Sequence, residues 1–475
     1  MISRFCLTLV FSLFSLISIG QRSVQNILNE TLNKDEYRQA SVGILVVDPA
    51  IGEELLSYHP DQLLIPASTM KLITSATALR ILGPGYRFTT SVAYSGNIDE
   101  KGVLHGNLVL IGGADPTLGS EYFQNHYYNF LEKWAQSVRL SGIQKVEGDL
   151  VLDASVYDHE KVPATWIWED LGNYYGAGAN AFTVYDNLFR ITFQSPSQPG
   201  RATKIMATYP KIDGLEIQNE VISSKVNADN AYVFGSPLDK LRVIRGTIPA
   251  GRKAFTIKAS VQQPGEILST AFTNALAGKG IFIDGGVRFK TGDENNHKTI
   301  YIQESPNMGD IAKVLNHESV NLFAEHFLKQ LSVEKYGIGN REKSIEIVKE
   351  FWKENGLGTN RFFMEDGSGL SHFNAVSPRF FVQLLTAMDG NEAFVNSLPR
   401  AGNGTLDQFS KEHFPGNTLE AKSGSMTRVR CYSGYLTTDS GRRLVFSIMF
   451  NHFQGSHSAL INEIEKLLYS IKVEE

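Results

Sequence analysis

The two ends of this chain read as halves of one fold, and the stretch between them reads as another. Residues 41–47 have the apolar, β-branched texture of a strand, Asp48-Pro49-Ala50-Ile51-Gly52 is a turn, and 53–58 is a returning strand. A helix over 68–82 follows and stops at Gly83-Pro84-Gly85. Helical periodicity returns only after about 305, over 308–315, 319–331, 342–354 and 377–388, the last with Ser377 as cap and Pro378 in its first turn. Strands over 419–422, 428–437 and 443–451 and an amphipathic helix over 458–471 close the chain. Hairpin, helix, helices, three strands, helix: the ends predict one α/β (α+β) unit, an antiparallel sheet packed with helices. From 88 to about 296, short runs such as TTSVAYSG, GNLVLIGG and YVFGSP are cut by Gly, Asp and Pro. This predicts β-rich accessory domains, two and nested, inserted between a first part of the α/β unit, 21–87, and a second, 297–475.

The 475 residues exceed one core of ordinary size, so more than one domain is expected. With 42% hydrophobic and 20% charged residues, neither disorder nor a polytopic membrane protein fits. A net charge of −5 without a basic stripe points away from nucleic acid. Arg4 precedes an apolar run ending in Ser18-Ile19-Gly20, the pattern of a cleaved leader over 1–20, with an uncleaved anchor as the other reading. Export to the periplasm or cell wall is therefore expected. Without the leader's Cys6, only Cys431 remains; it cannot form an internal disulfide and reads as a small buried packing residue.

Three short motifs carry chemistry. In Ser68-Thr69-Met70-Lys71 the lysine lies one helical turn after the serine, so its amine can reach the hydroxyl and, when neutral, take its proton. Ser-x-x-Lys is common by chance, and a capping serine beside a solvated lysine is the plainer alternative. Ser319-Val320-Asn321 supplies a hydroxyl and a side-chain amide, able to relay a proton and hold a substrate amide. Lys422-Ser423-Gly424-Ser425 places a lysine and a hydroxyl on a strand, with Gly424 permitting close backbone approach. The Ser425 N–H, paired with that of Ser68, could form an oxyanion hole. In this order the three form the motif set of the penicillin-recognising serine enzymes, with Ser423 where threonine is commoner.

Longer stretches extend the resemblance. LIPASTMKLITSATAL, GNLVLIGGADPTL, VEGDLVLDASVYD, YYGAGANAFTVYDN, EDGSGLSHFNAVSP and LPRAGNGTL resemble segments of the low-molecular-mass class C penicillin-binding proteins, the D-alanyl-D-alanine carboxypeptidase/endopeptidases of the peptidase S13 family. The resemblance runs from about residue 38 to 450 and implies the penicillin-binding/β-lactamase-like serine transpeptidase fold. It also accounts for the long step from Ser68 to Ser319, because this family carries accessory domains there. It implies that Ser68 is acylated by the penultimate D-Ala carbonyl, that Lys71 is the base, and that Ser319 passes the proton to the leaving amine. Asn321 would hold the substrate amide, and Lys422 with Ser423 would bind the terminal carboxylate. Gly424, Ser425 and Met426 would line the substrate. His372 stands where arginine is expected in relatives that contact the stem peptide's diamino acid. The implied partners are peptidoglycan stem peptides, with β-lactams as covalent inhibitors; no cofactor or metal is expected, and oligomeric state is left open.

Two rival functions remain at this stage: an esterase or β-lactamase on the same fold, and a cell-wall scaffold that has lost its chemistry. Retention of every motif residue counts against the scaffold. Asp149, Asp153 and Asp158 read as a solvated turn cluster, and Trp166, Trp168, Tyr174 and Tyr175 as core aromatics.

Overall fold

A computed structural model describes residues 24–290 and 296–475; the leader expected at 1–20 lies outside the described residues. The chain divides into two compact units. One takes residues up to 80, 312–319 and 345–475, and the other takes 81–311 and 320–344. The second unit thus holds 297–311 and 320–344 besides the stretch expected as an insertion.

The first unit is built on a five-stranded antiparallel sheet. Its order is Glu53–Tyr58, Ser41–Asp48, Arg443–Asn451, Val429–Thr437, Leu419–Met426. Pairing Ser41 with Asn451 through Val47 with Val445 joins the N-terminal hairpin to the C-terminal strands. Alternate residues face opposite ways. Val42, Ile44, Val46, Phe446, Ile448 and Phe450 pack with the helix His457–Glu474, whose Leu460, Ile461, Ile464, Leu467, Leu468 and Ile471 are all buried. Each such side chain contributes about 1.5–3 kcal/mol relative to exposure. The opposite face takes the helix Pro378–Met388, capped by the Ser377 hydroxyl, which accepts from the Phe380 N–H at 3.2 Å. A side chain at Gly43 would meet Pro378 at 2.7 Å, so this helix sits directly on the sheet. Cys431 is fully buried in the sheet, and burial pushes its thiol pKa up.

Two large hydrophobic clusters lie in the second unit. In one, a five-stranded mixed sheet (Val287–Phe289, Leu150–Asp153, Leu108–Ile111, Thr89–Tyr94, Lys298–Glu304) packs with the helices Phe130–Leu140 and Pro264–Gly278 through Trp134, Leu268 and Phe272. The other lies within two three-stranded sheets, with Phe189, Ile191, Phe193, Val221, Ile244 and Ile257 at its centre. Two earlier expectations are corrected in this unit. The three aspartates are not a solvated turn cluster: Asp149 pairs with Arg288 at 2.8 Å, Asp153 with Lys290 at 2.9 Å and Asp158 with Lys329 at 2.6 Å. Of the aromatics, Trp166 is buried, but Trp168 and Tyr174 are exposed.

Candidate active site

The segment entering the nucleophile helix is fixed from the sheet. Asn451 clamps Ile65 by both backbone groups, accepting from its N–H at 2.7 Å and donating to its carbonyl at 3.0 Å. Ala67 then adopts φ +47°, a left-handed conformation that costs a residue with a Cβ about 1–2 kcal/mol. The expected helix over 68–82 starts later than its sequence suggests, with a 3-10 turn Ala67–Thr69 before the α-helix Met70–Ile81. Pro66 holds the cap position and no side chain caps it, so Ser68 is not a helix cap. Its half-buried hydroxyl instead accepts a hydrogen bond from the fully buried Lys71, Nζ to Oγ 3.0 Å.

A loop over 366–374 fixes the far side of that lysine. The buried Asp366 carboxylate accepts from the Gly369 N–H at 2.8 Å, the Ser371 N–H at 2.6 Å and the Asn374 amide at 2.8 Å. So folded, the loop offers the Ser368 carbonyl to Lys71 Nζ at 2.7 Å and the Gly367 carbonyl to the Thr74 hydroxyl at 2.6 Å. Gly369, at φ +82°, approaches so closely that a Cβ would stand 1.9 Å from the Ala67 carbonyl oxygen. Only glycine satisfies both conditions.

Ser319 follows the helix Met308–His317 and is left-handed, φ +57°; the next helix, Asn321–Tyr336, starts after it without a side-chain cap. Its hydroxyl accepts from Lys422 Nζ at 3.0 Å, and the same ammonium donates to the Ser423 carbonyl at 2.9 Å. Lys422 is fully buried. That burial, with Lys71 and then Arg430 as like charges nearby, holds its pKa well below the ordinary lysine value.

The strand Leu419–Met426 runs further than the expected 419–422, so the whole Lys-Ser-Gly-Ser motif is in the ladder. A Cβ on Gly424 would stand 2.3 Å from the Pro66 carbonyl oxygen and 3.2 Å from the Ser68 nitrogen. Strand and nucleophile turn are therefore in backbone contact, as an oxyanion hole from the Ser68 and Ser425 N–H groups needs. Ser68, Ser319, Ser423 and Ser425 line one cavity of about 370 Å³, together with Arg430 and the loop residues Thr405 and Asp407.

Sequence reasoning missed Arg430 and the 404–408 loop. Arginine in an apolar strand run was the available signal for the former. Asn321, two residues after Ser319, belongs to the second unit, where its amide donates to the Tyr175 carbonyl at 2.8 Å. Met426 is half-buried at the strand end and His372 is exposed on the 366–374 loop; neither lines the cavity. Among the described residues, no group of His, Cys, Asp and Glu is placed to hold a metal ion.

Known proteins resemble this chain along almost its whole length. Residues 24–469 match the model of the D-Ala-D-Ala carboxypeptidase 3 (S13) family. A D-alanyl-D-alanine carboxypeptidase from Actinomadura sp. is 30% identical over 87% of this chain and 78% of its own. The D-alanyl-D-alanine carboxypeptidase DacB of Haemophilus influenzae is 24% identical over 95% and 92% respectively. The crystal structure of penicillin binding protein 4 from Haemophilus influenzae superposes with a TM-score of 0.78 at 22% identity, covering 93% of this chain and 99% of that one. The chain belongs to the S13 family, with the penicillin-binding-type α+β fold; it is a serine hydrolase with peptidoglycan-related substrates.

Proposed function

We propose, with membership of this family as the premise, that the protein is an exported serine-type D-Ala-D-Ala carboxypeptidase and DD-endopeptidase that trims peptidoglycan stem peptides. The observation that carries this reading is the pair of lysine–serine contacts, Lys71 with Ser68 and Lys422 with Ser319, each 3.0 Å, around one cavity.

Ser68 Oγ attacks the carbonyl of the penultimate D-Ala while Lys71, in its neutral form, takes the hydroxyl proton. The oxyanion so formed is met by the N–H groups of Ser68 and Ser425, a contribution typically worth 10²–10³ in rate per donor. The C–N bond then breaks. The leaving amine receives a proton through Ser319, whose hydroxyl is held by Lys422. Water adds to the ester, the acyl group departs as the acid, and Ser68 regains its proton. Ser423 meets the terminal carboxylate in this reading. Lys422, whose ammonium is committed to Ser319 and the Ser423 carbonyl, acts on that carboxylate through its field rather than by contact.

The reading is tested by incubating the mature protein with a pentapeptide stem and with a D-Ala-linked stem dimer, following released D-Ala and monomer. Ser68-dependent D-Ala release supports the carboxypeptidase, and Ser68-dependent dimer cleavage supports the endopeptidase. Turnover of a simple ester or of penicillin with neither peptide cleaved would replace the reading with an esterase or β-lactamase.

A further inference from the structure

Arg242 occupies a position that strand periodicity reserves for an apolar residue. It is the second residue of the strand Leu241–Pro249, the middle strand of a three-stranded sheet in the second unit. Two residues before the core residue Ile244, it shares that residue's inward face, and it is only 1% exposed. The chain makes room for it: a Cβ on Gly235 would stand 2.6 Å from Nη1 and 2.8 Å from Cδ.

Only one side of this guanidinium is satisfied. Nη1 donates to the Leu241 carbonyl at 2.6 Å and to the Asp239 carbonyl at 3.1 Å. The Asp239 carboxylate stands 3.6 Å from the same nitrogen, beyond hydrogen-bond reach. Among the described residues, the buried Nε has no hydrogen-bond partner, and Nη2 has none either. Nε and Nη2 form the edge of an arginine that grips a carboxylate through two parallel bonds. Leaving that edge unmet in the interior is costly, and a ligand or water must offset it.

Arg242 lines a cavity of about 330 Å³, bounded by the loops 210–215 and 235–240 and by the helix Pro264–Gly278. Phe189, Ile212, Leu215, Val261 and Ile267 give it apolar walls. Its carboxylates, Asp213, Asp239 and Glu266, are exposed, and Glu266 is paired with Lys240 at 2.9 Å. Gln263, also in the lining, is the N-cap of the helix and makes no capping bond, so the positive end of the helix dipole adds to the guanidinium. An apolar chamber of this size with one desolvated fork of donors fits a ligand that is apolar along its body and anionic at its end.

We propose that this cavity binds amphipathic carboxylates, with the carboxylate on the Nε/Nη2 edge of Arg242 and the apolar body against Phe189, Leu215 and Ile267. Ser68, Lys71 and Lys422 all belong to the other unit, so the site stands independently of the peptidase reading. A free aliphatic acid and the C-terminus of an apolar peptide present the same chemistry, and the test separates them.

Binding is measured by titration calorimetry on the whole protein. The probes are butanoate, hexanoate and octanoate, with octanamide as the uncharged control and acetyl-alanyl-leucine as the chain end. Octanoate should bind about 10–100-fold more tightly than octanamide, the gain of a charge-assisted contact. Affinity should rise about fourfold per methylene along the acid series. Tighter binding of octanoate than of the peptide assigns the site to a free acid, and the reverse order assigns it to a chain end. Arg242→Met should abolish the preference for octanoate over octanamide. Thr270→Trp, which fills the cavity from an exposed helix position, should abolish binding and keeps the test decisive if Arg242→Met fails to fold. Melting temperature and circular dichroism report the folding of each variant. Undiminished octanoate binding in either folded variant, equal binding of octanamide, or binding of neither octanoate nor the peptide to wild type would overturn the site and leave water on the free edge of Arg242.

Discussion

Buried cations occur in both units, and their partners differ. In the second unit three buried or half-buried cations are matched with carboxylates, Lys329 with Asp158, Lys290 with Asp153, and Arg341 with Glu160 at 2.9 Å, while the fully buried Arg242 donates to the Asp239 and Leu241 carbonyls with the Asp239 carboxylate at 3.6 Å. At the first unit's cavity, Lys422 and Arg430 face neutral oxygens instead, the Ser319 hydroxyl, the Ser423 carbonyl and the Tyr432 hydroxyl. A desolvated cation without a counter-ion costs several kcal/mol, whereas a well-made pair roughly offsets that cost. The three pairs in the second unit satisfy their charges and fix the structure around them. The first unit leaves positive potential unspent, and an anionic ligand and a developing oxyanion can use it.

Four substitutions would break or sharpen this contrast. The largest effect is expected from Lys71→Ala, which removes the amine on Ser68: penicillin acylation should slow by about 10³–10⁴-fold, the scale of a lost general base. Acylation at the wild-type rate would remove Lys71 from that role. Lys329→Met strands Asp158 in the second unit, and urea unfolding should show a loss of about 3–5 kcal/mol, while acylation measured below the melting transition stays unchanged. Lys422→Met should do the reverse, slowing acylation by about 10²-fold through the freed Ser319 hydroxyl and the lost field, with a melting temperature no lower than wild type. If Lys422→Met unfolds the protein as Lys329→Met does, the two units do not differ as described.

The smallest effect concerns pH. His326, in the second unit, is fully buried beside Thr183 and Tyr157, and burial holds its pKa down to about 3. The unfolded chain takes up a proton there below about 6.5 and the fold does not. The stability is therefore complete above that pH and falls as pH drops toward 3, by about 1.4 kcal/mol per unit. His326→Gln should flatten the decline in urea midpoint between pH 6.5 and 5; an unchanged slope would assign the acid sensitivity elsewhere.

Much of this was legible in sequence because it is local. The Ser68–Lys71 contact is one helical turn, and the strands 41–47 and 53–58 with their turn were found within a residue of their observed ends. What escaped depends on distant pairing. Arg430 reaches the cavity only because the hairpin places it opposite Ser425, and no local pattern encodes that register. Left-handed Ala67 and Ser319 are similarly invisible, since neither is a residue that seeks that conformation and each is held there by its surroundings. The helix Phe130–Leu140 hid among strand-like runs: its Asn129 cap position is left-handed and makes no capping bond, although Phe130, Trp134 and Val138 recur at helical spacing.

The measurement that tests the central claim most directly is covalent labelling of the purified protein by a fluorescent penicillin, with Ser68→Ala alongside. A stable label on wild type that disappears in Ser68→Ala, both proteins melting cooperatively, is the expected result. An undiminished label on Ser68→Ala, or none on folded wild type, would contradict it.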